Sequence, residues 1–340
     1  MLLTQQQILS ALKGAPAVYE KDGLIVPDRF CDEQRKGYPE GTCQRTRTYC
    51  QANAVLDFHT DSETLTLDLR SIWGENDWYT MLFELLEDGV SATRLSFPVM
   101  QYPAQGEIGH GTRFFPDRKM TFRLKKGEKR VTLYLGHYWH TEIASVELDD
   151  GASFTPHEYK GRFLVFGDSI TEGYNAVQPS GNYPARLGRM LDYEAVNYGI
   201  GGEHCRPGVI TPGTYPDCDF VLTAYGTNDF PKLAKEVFEE RLTAYMDNLR
   251  AAFPDTRVYV LLPIWRKSAD EVHSSGTLRD LGARIRAEAE KRGFRVIDCY
   301  DFLYCDLTLY SDGLHPNDEG DLLYAARLCA ALKADGAFGD

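Results

Sequence analysis

The chain has 340 residues, 43% hydrophobic and 26% charged, with a formal net charge of −13 and a pI near 5.1. That length accommodates two domains of roughly 100–200 residues each, and the composition is that of a globular protein with sizeable cores. An acidic surface repels phosphate backbones and anionic headgroups, which argues against nucleic acid and membrane as partners.

The N-terminal stretch MLLTQQQILSALKGAPAVYEKDG lacks a basic start followed by an apolar segment, so it does not read as a signal peptide. No apolar run approaches the roughly 18 residues of a membrane span. The eight cysteines include no C-x-x-C pair, and scattered thiols in a chain this long suit a reducing compartment. These features give a cytoplasmic expectation.

Taken in chain order, residues 1–150 read as mostly β after a short helix over about 5–13. TLTLDL (64–69) alternates and places Leu65, Leu67 and Leu69 on one face. LLEDGV (85–90) supplies an Asp-Gly turn. MTFRLKKGEKRVTLYLG (120–136) reads as a hairpin turning at its charged centre. The expected product is an antiparallel β-sandwich over 1–150. DDGASFTPHEYKG (149–161) reads as the linker to a second domain at 160–340.

From residue 160 the period changes. Strands are expected at RFLVFGDS (162–169), EAVNYG (194–199), DFVLTAYG (219–226), RVYVLLPI (257–264) and RVIDCY (295–300). Helical spacing intervenes at 182–192, 234–252, 277–292 and 318–333. Strands that are apolar throughout and alternate with helices imply a parallel sheet covered on both faces.

Ligands of such sheets bind beyond the carboxyl ends of the strands. Ser169, Gly201-Gly202, Asn228 and the pair Asp312/His315 all fall at that edge or just before the last helix. A hydroxyl needs a base to become a nucleophile, and imidazole titrates near neutrality. Asp312, three residues before His315, is placed to accept from its Nδ1–H and fix the tautomer. The amides of Ser169 and Gly202 and the carboxamide of Asn228 supply three donors for an oxyanion. The set describes acyl transfer, with no cofactor and no metal.

These residues resemble the SGNH (GDSL-type) serine hydrolases. GDS carries Ser169, NYGIGG carries Gly202, GTND carries Asn228, and DGLHP carries Asp312 and His315. All four blocks occur in order over about 162–333; one departure is Gly201, where a serine is common. The resemblance implies a flavodoxin-like three-layer α/β/α domain. A leading jelly-roll-like sandwich resembles the two-domain carbohydrate esterases that remove acetyl groups from plant polysaccharides, and a related acyltransferase of the same layout. Some of those esterases lack the aspartate partner of the histidine; this chain keeps Asp312.

The expected activity is therefore hydrolysis of small acyl esters, acetyl foremost, on an acetylated oligosaccharide. The alternatives are acyl transfer to a sugar or metabolite hydroxyl, and glycan binding without catalysis. Trp265, after the fourth strand, and His204, beside Gly202, are the pocket candidates, with Arg206 and Arg266 behind them. Trp73, Trp78, Tyr79, Tyr138 and Trp139 read either as packing or as a sugar-stacking face. Simpler roles exist for each site residue: Ser169 as a helix cap, Asp312-Gly313 as an ordinary turn. Asp168 reads as structural, bonding loop amides.

Rival motifs fail. GIGGEH begins like a dinucleotide fingerprint but has His204 where the last glycine belongs. Ser169 lies outside a G-x-S-x-G elbow. His137 and His140, three apart on a strand, face opposite sides, which disfavours a shared metal.

Overall fold

The computed structural model describes residues 1–75, 80–98 and 112–338. The chain forms two compact units. Met1–Cys31, Glu40–Tyr159 and Gln178–Ser180 make one, and Asp32–Pro39, Lys160–Val177 and Gly181–Asp340 the other.

The first unit is an antiparallel sandwich. One sheet runs in the order Leu12–Lys13, Val55–Thr60, Lys129–Tyr134, Thr80–Glu87, Val90–Pro98. The other runs Tyr19–Lys21, Leu24–Val26, Trp139–Leu148, Thr64–Glu75, Thr112–Phe115, with Arg118–Arg123 also against Thr64–Glu75. Leu65, Leu67 and Leu69 are buried in one cluster with Leu56, Phe58, Val131 and Leu133, so the two inner faces share a core. Alternating sequence with one apolar face has this as its stable outcome. Asp88 and Gly89 take φ of 50° and 79°, the left-handed pair that joins Thr80–Glu87 to Val90–Pro98 as a tight hairpin.

The expected hairpin over 120–136 does not form. Arg118–Arg123 pairs with Thr64–Glu75, whereas Lys129–Tyr134 pairs with Val55–Thr60 and Thr80–Glu87 in the opposite sheet. The charged centre crosses between sheets. Alternation fixes which face of a strand is buried, and a crossover satisfies that pattern as well as a hairpin does. The expected linker is likewise partly ordered: Thr155–Pro156 pairs with Val55–Thr60, and Tyr159 donates to Asp57 at 2.5 Å.

In the second unit the parallel strands are β1 (Gly161–Gly167), β2 (Tyr193–Gly199), β3 (Phe220–Ala224), β4 (Arg257–Leu261) and β5 (Arg295–Ile297). Their spatial order is β2-β1-β3-β4-β5, the flavodoxin-like arrangement, with its reversal at β1/β3. The helices are α1 (Ser169–Glu172), α2 (Tyr183–Leu191), α3 (Asp229–Lys232), α4 (Lys235–Ala252), α5 (Leu278–Lys291) and α6 (Asp318–Ala334). Phe163, Val165 and Leu222 point to the face where Tyr183 and Leu187 of α2 and Tyr324 and Leu328 of α6 pack. On the other face Phe166 stacks on Tyr198 and meets Phe253, the C-cap of α4. Both faces are thus covered, which explains strands apolar along their length. Strands β4 and β5 stop earlier than expected. Pro263 has no N–H to continue a ladder, and Asp298 turns the chain by accepting from Tyr300 N–H at 3.1 Å.

Candidate active site

The register of the central strands levels their ends. Gly167 lies opposite Gly199 on β2 and Ala224 on β3, so the segments carrying Ser169, Gly202 and Asn228 leave the sheet side by side. The turn out of β1 needs glycine. A Cβ at Gly167 would lie 2.1 Å from Thr171 Oγ1, and one at Gly199 would lie 2.4 Å from the Glu172 nitrogen.

Asp168, not Ser169, caps α1: its Oδ1 accepts from Ile170 N–H at 3.0 Å. The Ser169 hydroxyl is left for another partner. It lies 2.8 Å from His315 Nε2, and His315 Nδ1 lies 2.7 Å from Asp312 Oδ2. Asp312 also uses Oδ1 to accept from the N–H of His315 at 2.8 Å and of Leu314 at 2.9 Å. One carboxylate therefore holds both the ring and the backbone of the histidine. The turn closes through Gly313 at φ 81° and a Ser311 N–H donating to His315 O at 2.9 Å.

Burial decides the electrostatics here. Ser169 is 6% exposed and His315 8%. Burial pushes the imidazole below its ordinary value, and Asp312 opposes that without reversing it. The ring is thus neutral, and basic, at neutral pH. Burial also raises the Asp312 carboxyl, but hydrogen bonds from His315 and Leu314 outweigh it and hold the group low and ionised. Asp168 is pushed up to about 7, chiefly by burial, and by nearby Asp229.

The expected oxyanion donors follow β1, β2 and β3. Gly202 takes φ 76°. The backbone N–H groups of Ser169 and Gly202 have no acceptor among the described residues. Asn228 Nδ2 donates to Glu203 O at 3.0 Å, which spends one amide hydrogen on the loop and leaves the second. Gly201 N–H donates to the buried Glu172 at 2.6 Å.

His204 sits on this loop, its Nδ1 3.5 Å from Asp229 Oδ1. Trp265 is half-buried and packs edge-on against Tyr310, centroids 5.7 Å apart. Among the described residues no hydrogen bond or ring contact joins Trp265 to Ser169 or His315. Its loop is nonetheless tied across the site: Arg266 Nη1 donates to Thr227 O at 2.9 Å, next to Asn228, and Lys267 N–H donates to Gly313 O at 2.8 Å, next to Asp312. Of the sandwich aromatics, Trp73 and Trp139 are buried. Trp73 stacks on His140 and Trp139 meets Phe115 edge-on, so neither offers a face to a sugar. Tyr138 packs against the same core, and Trp78 and Tyr79 lie outside the described residues.

Sequence reasoning missed Tyr174, Asn175, Glu172 and Glu203. The Tyr174 ring lies 4.5 Å from that of His315, and Asn175 Nδ2 donates to Asp312 Oδ2 at 3.3 Å. The one available signal was position: Glu172 and Asn175 follow Ser169 by three and six residues, and Glu203 follows Gly202.

Residues 165–323 match the model of the GDSL-like lipase/acylhydrolase family. No curated protein matches the chain. Among solved structures, it is similar to a salicylyl-acyltransferase, SsfX3, from a tetracycline biosynthetic pathway (21% identity, 95% of each chain covered, TM-score 0.74). It is also similar to a family two carbohydrate esterase from Clostridium thermocellum in complex with cellohexaose (16% identity, 85% of this chain and 94% of that one, TM-score 0.62). An acetyl xylan esterase from the rumen bacterium Butyrivibrio proteoclasticus is a third (16% identity, 86% of this chain and 92% of that one, TM-score 0.61). At these identities the likeness establishes the fold. Residues 165–323 are a domain of the GDSL-like lipase/acylhydrolase family, and the chain is a hydrolase acting on ester bonds.

Proposed function

We propose that the chain is a serine esterase that removes small acyl groups, acetyl foremost, from a carbohydrate. The observation that carries this reading is the unbroken hydrogen-bond chain from Ser169 Oγ through His315 to Asp312, at 2.8 and 2.7 Å. His315 Nε2 takes the hydroxyl proton as Oγ bonds to the carbonyl carbon. The imidazolium, steadied by Asp312, then passes that proton to the departing alcohol oxygen as the C–O bond breaks. Water repeats the cycle on the acyl-enzyme, giving up a proton to His315, and the carboxylic acid leaves with Ser169 restored. The N–H groups of Ser169 and Gly202 and the second amide hydrogen of Asn228 stabilise the tetrahedral oxyanion. No cofactor or metal is needed. His204 and Trp265 are the candidates to line the pocket, supported by their loops' attachment beside Gly202 and between Asn228 and Asp312.

The sugar ester is supported by the likeness of fold to the acetyl xylan esterase. Rates on p-nitrophenyl acetate, longer p-nitrophenyl esters and acetylated xylo- and cello-oligosaccharides test it. Preference for long chains, or a Ser169→Ala variant as active as the parent, refutes it. A second reading, acyl transfer to a hydroxyl, is favoured by the likeness to the salicylyl-acyltransferase over 95% of each chain. Both share the acyl-enzyme, and the ratio of hydrolysed to transferred product with added acceptor alcohols separates them.

A further inference from the structure

The loop that bears Gly202 is fixed from outside by residues the family match does not include. Arg206 donates from Nε and Nη2 to the two carboxylate oxygens of Glu203, both at 2.8 Å. Its Nη1 donates to Gly37 O at 2.6 Å, across 169 positions of sequence, and its guanidinium lies 5.4 Å from the centroid of the Tyr38 ring. Gly37 is packed so closely on Gly208 that a Cβ would lie 1.7 Å from the Gly208 carbonyl oxygen. Gln34 adds a bond to Thr214 O at 3.3 Å. Glu203 is 3% exposed. Its side chain accepts from His204 N–H at 2.9 Å, and its carbonyl is the one that holds Asn228.

We infer that Arg206, braced by the N-terminal segment Asp32–Pro39, is a positioning residue for the oxyanion donors. The bidentate Arg206–Glu203 pair fixes the Glu203–His204 peptide, whose carbonyl orients the Asn228 carboxamide, and it anchors the chain immediately after Gly202, which limits how that amide can turn. A planar guanidinium suits this task, because it engages a carboxylate with two bonds and still has a donor for Gly37. The inference rests on the esterase reading, and it makes the site depend on a stretch of chain that a hydrolase domain cut at residue 160 would lack.

The test uses the full chain. Arg206→Met, Glu203→Gln, their double variant and Arg206→Lys are compared with the parent for kcat and KM on p-nitrophenyl acetate. Affinity for a boronic acid, which forms a tetrahedral adduct with the serine, and the thermal midpoint are measured alongside. Expected for Arg206→Met is a kcat about 10- to 100-fold lower, short of the loss of a whole oxyanion donor, with weakened boronate binding. KM should stay within about threefold, because the donors act in the transition state. Arg206→Lys recovers part of the loss, and the double variant is no worse than Arg206→Met, since the two residues act as a unit. Gly37→Val, which displaces the brace while leaving the Arg206 side chain unaltered, lowers kcat in the same selective way. Near-ultraviolet circular dichroism confirms that each variant is folded; a variant that is not is replaced in the comparison by Arg206→Lys. A fall in thermal midpoint with unchanged kcat and boronate affinity overturns the inference while leaving the esterase reading intact. A parent protein that neither hydrolyses esters nor reacts with a fluorophosphonate overturns both.

Discussion

Asp168 precedes Ser169 and is 2% exposed, so replacing it with asparagine separates its structural cost from its capping role. Asparagine keeps an oxygen to accept from Ile170 N–H and is as good a cap as aspartate. What it removes is the charge. Burial lifts the Asp168 carboxyl from an ordinary 3.8 up to about 7, so the folded protein retains a proton that the unfolded chain has released. Stability therefore falls as pH rises from near 3.8, and levels off once pH passes about 7. At about 1.36 kcal/mol per pKa unit, the full cost is about 4 kcal/mol. By linkage, about 2 kcal/mol of this is present at pH 5 and about 4 kcal/mol at pH 8. Asp168→Asn should gain on the parent by about 2–3 kcal/mol between those two pH values. Guanidinium unfolding curves for both proteins across that range measure the difference. Parallel stability–pH profiles would refute the reasoning, because they would mean that Asp168 ionises in the folded state as easily as in water.

Asn228→Ala should lower kcat on p-nitrophenyl acetate by about 10²–10³-fold, with KM little changed, as expected for a donor that acts on the oxyanion; steady-state kinetics check this. The acid limb of kcat/KM should lie below pH 6.5, since burial depresses His315 from that ordinary value, and a pH–rate profile locates it. Asp312→Asn should move that limb further toward acid, because removing the carboxylate withdraws the one group that raises the imidazole's basicity, and should cost about 10²–10⁴ in kcat through loss of the tautomer. Gly167→Val should destabilise the protein by about 1–3 kcal/mol or more by overpacking and should slow fluorophosphonate labelling of Ser169; the clash with Thr171 and the Ala224 carbonyl is the cause.

What the sequence by itself determined is whatever follows from neighbours along the chain. Apolar runs such as FLVF at 163–166 and VYVL at 258–261 belong to strands buried on both faces, and the helices between them follow the apolar spacing of Leu187, Leu242 and Ile285. The residues of the candidate site were legible for the same reason: each lies in a short block, and a parallel sheet has one edge at which such blocks meet. Tertiary structure alone decided the pairings. The alternation at 118–123 and 129–134 suits a hairpin or a sheet-to-sheet crossing, and distant strands made the choice. That Asp168 caps α1 while the Ser169 hydroxyl meets His315 showed only in the folded chain. The attachment of Asp32–Pro39 to the hydrolase unit includes bonds to two backbone oxygens, that of Gly37 and that of Thr214, and a backbone oxygen has no signature in a sequence. Local period records which face a segment buries; which partner covers that face is settled only when remote segments exclude water together.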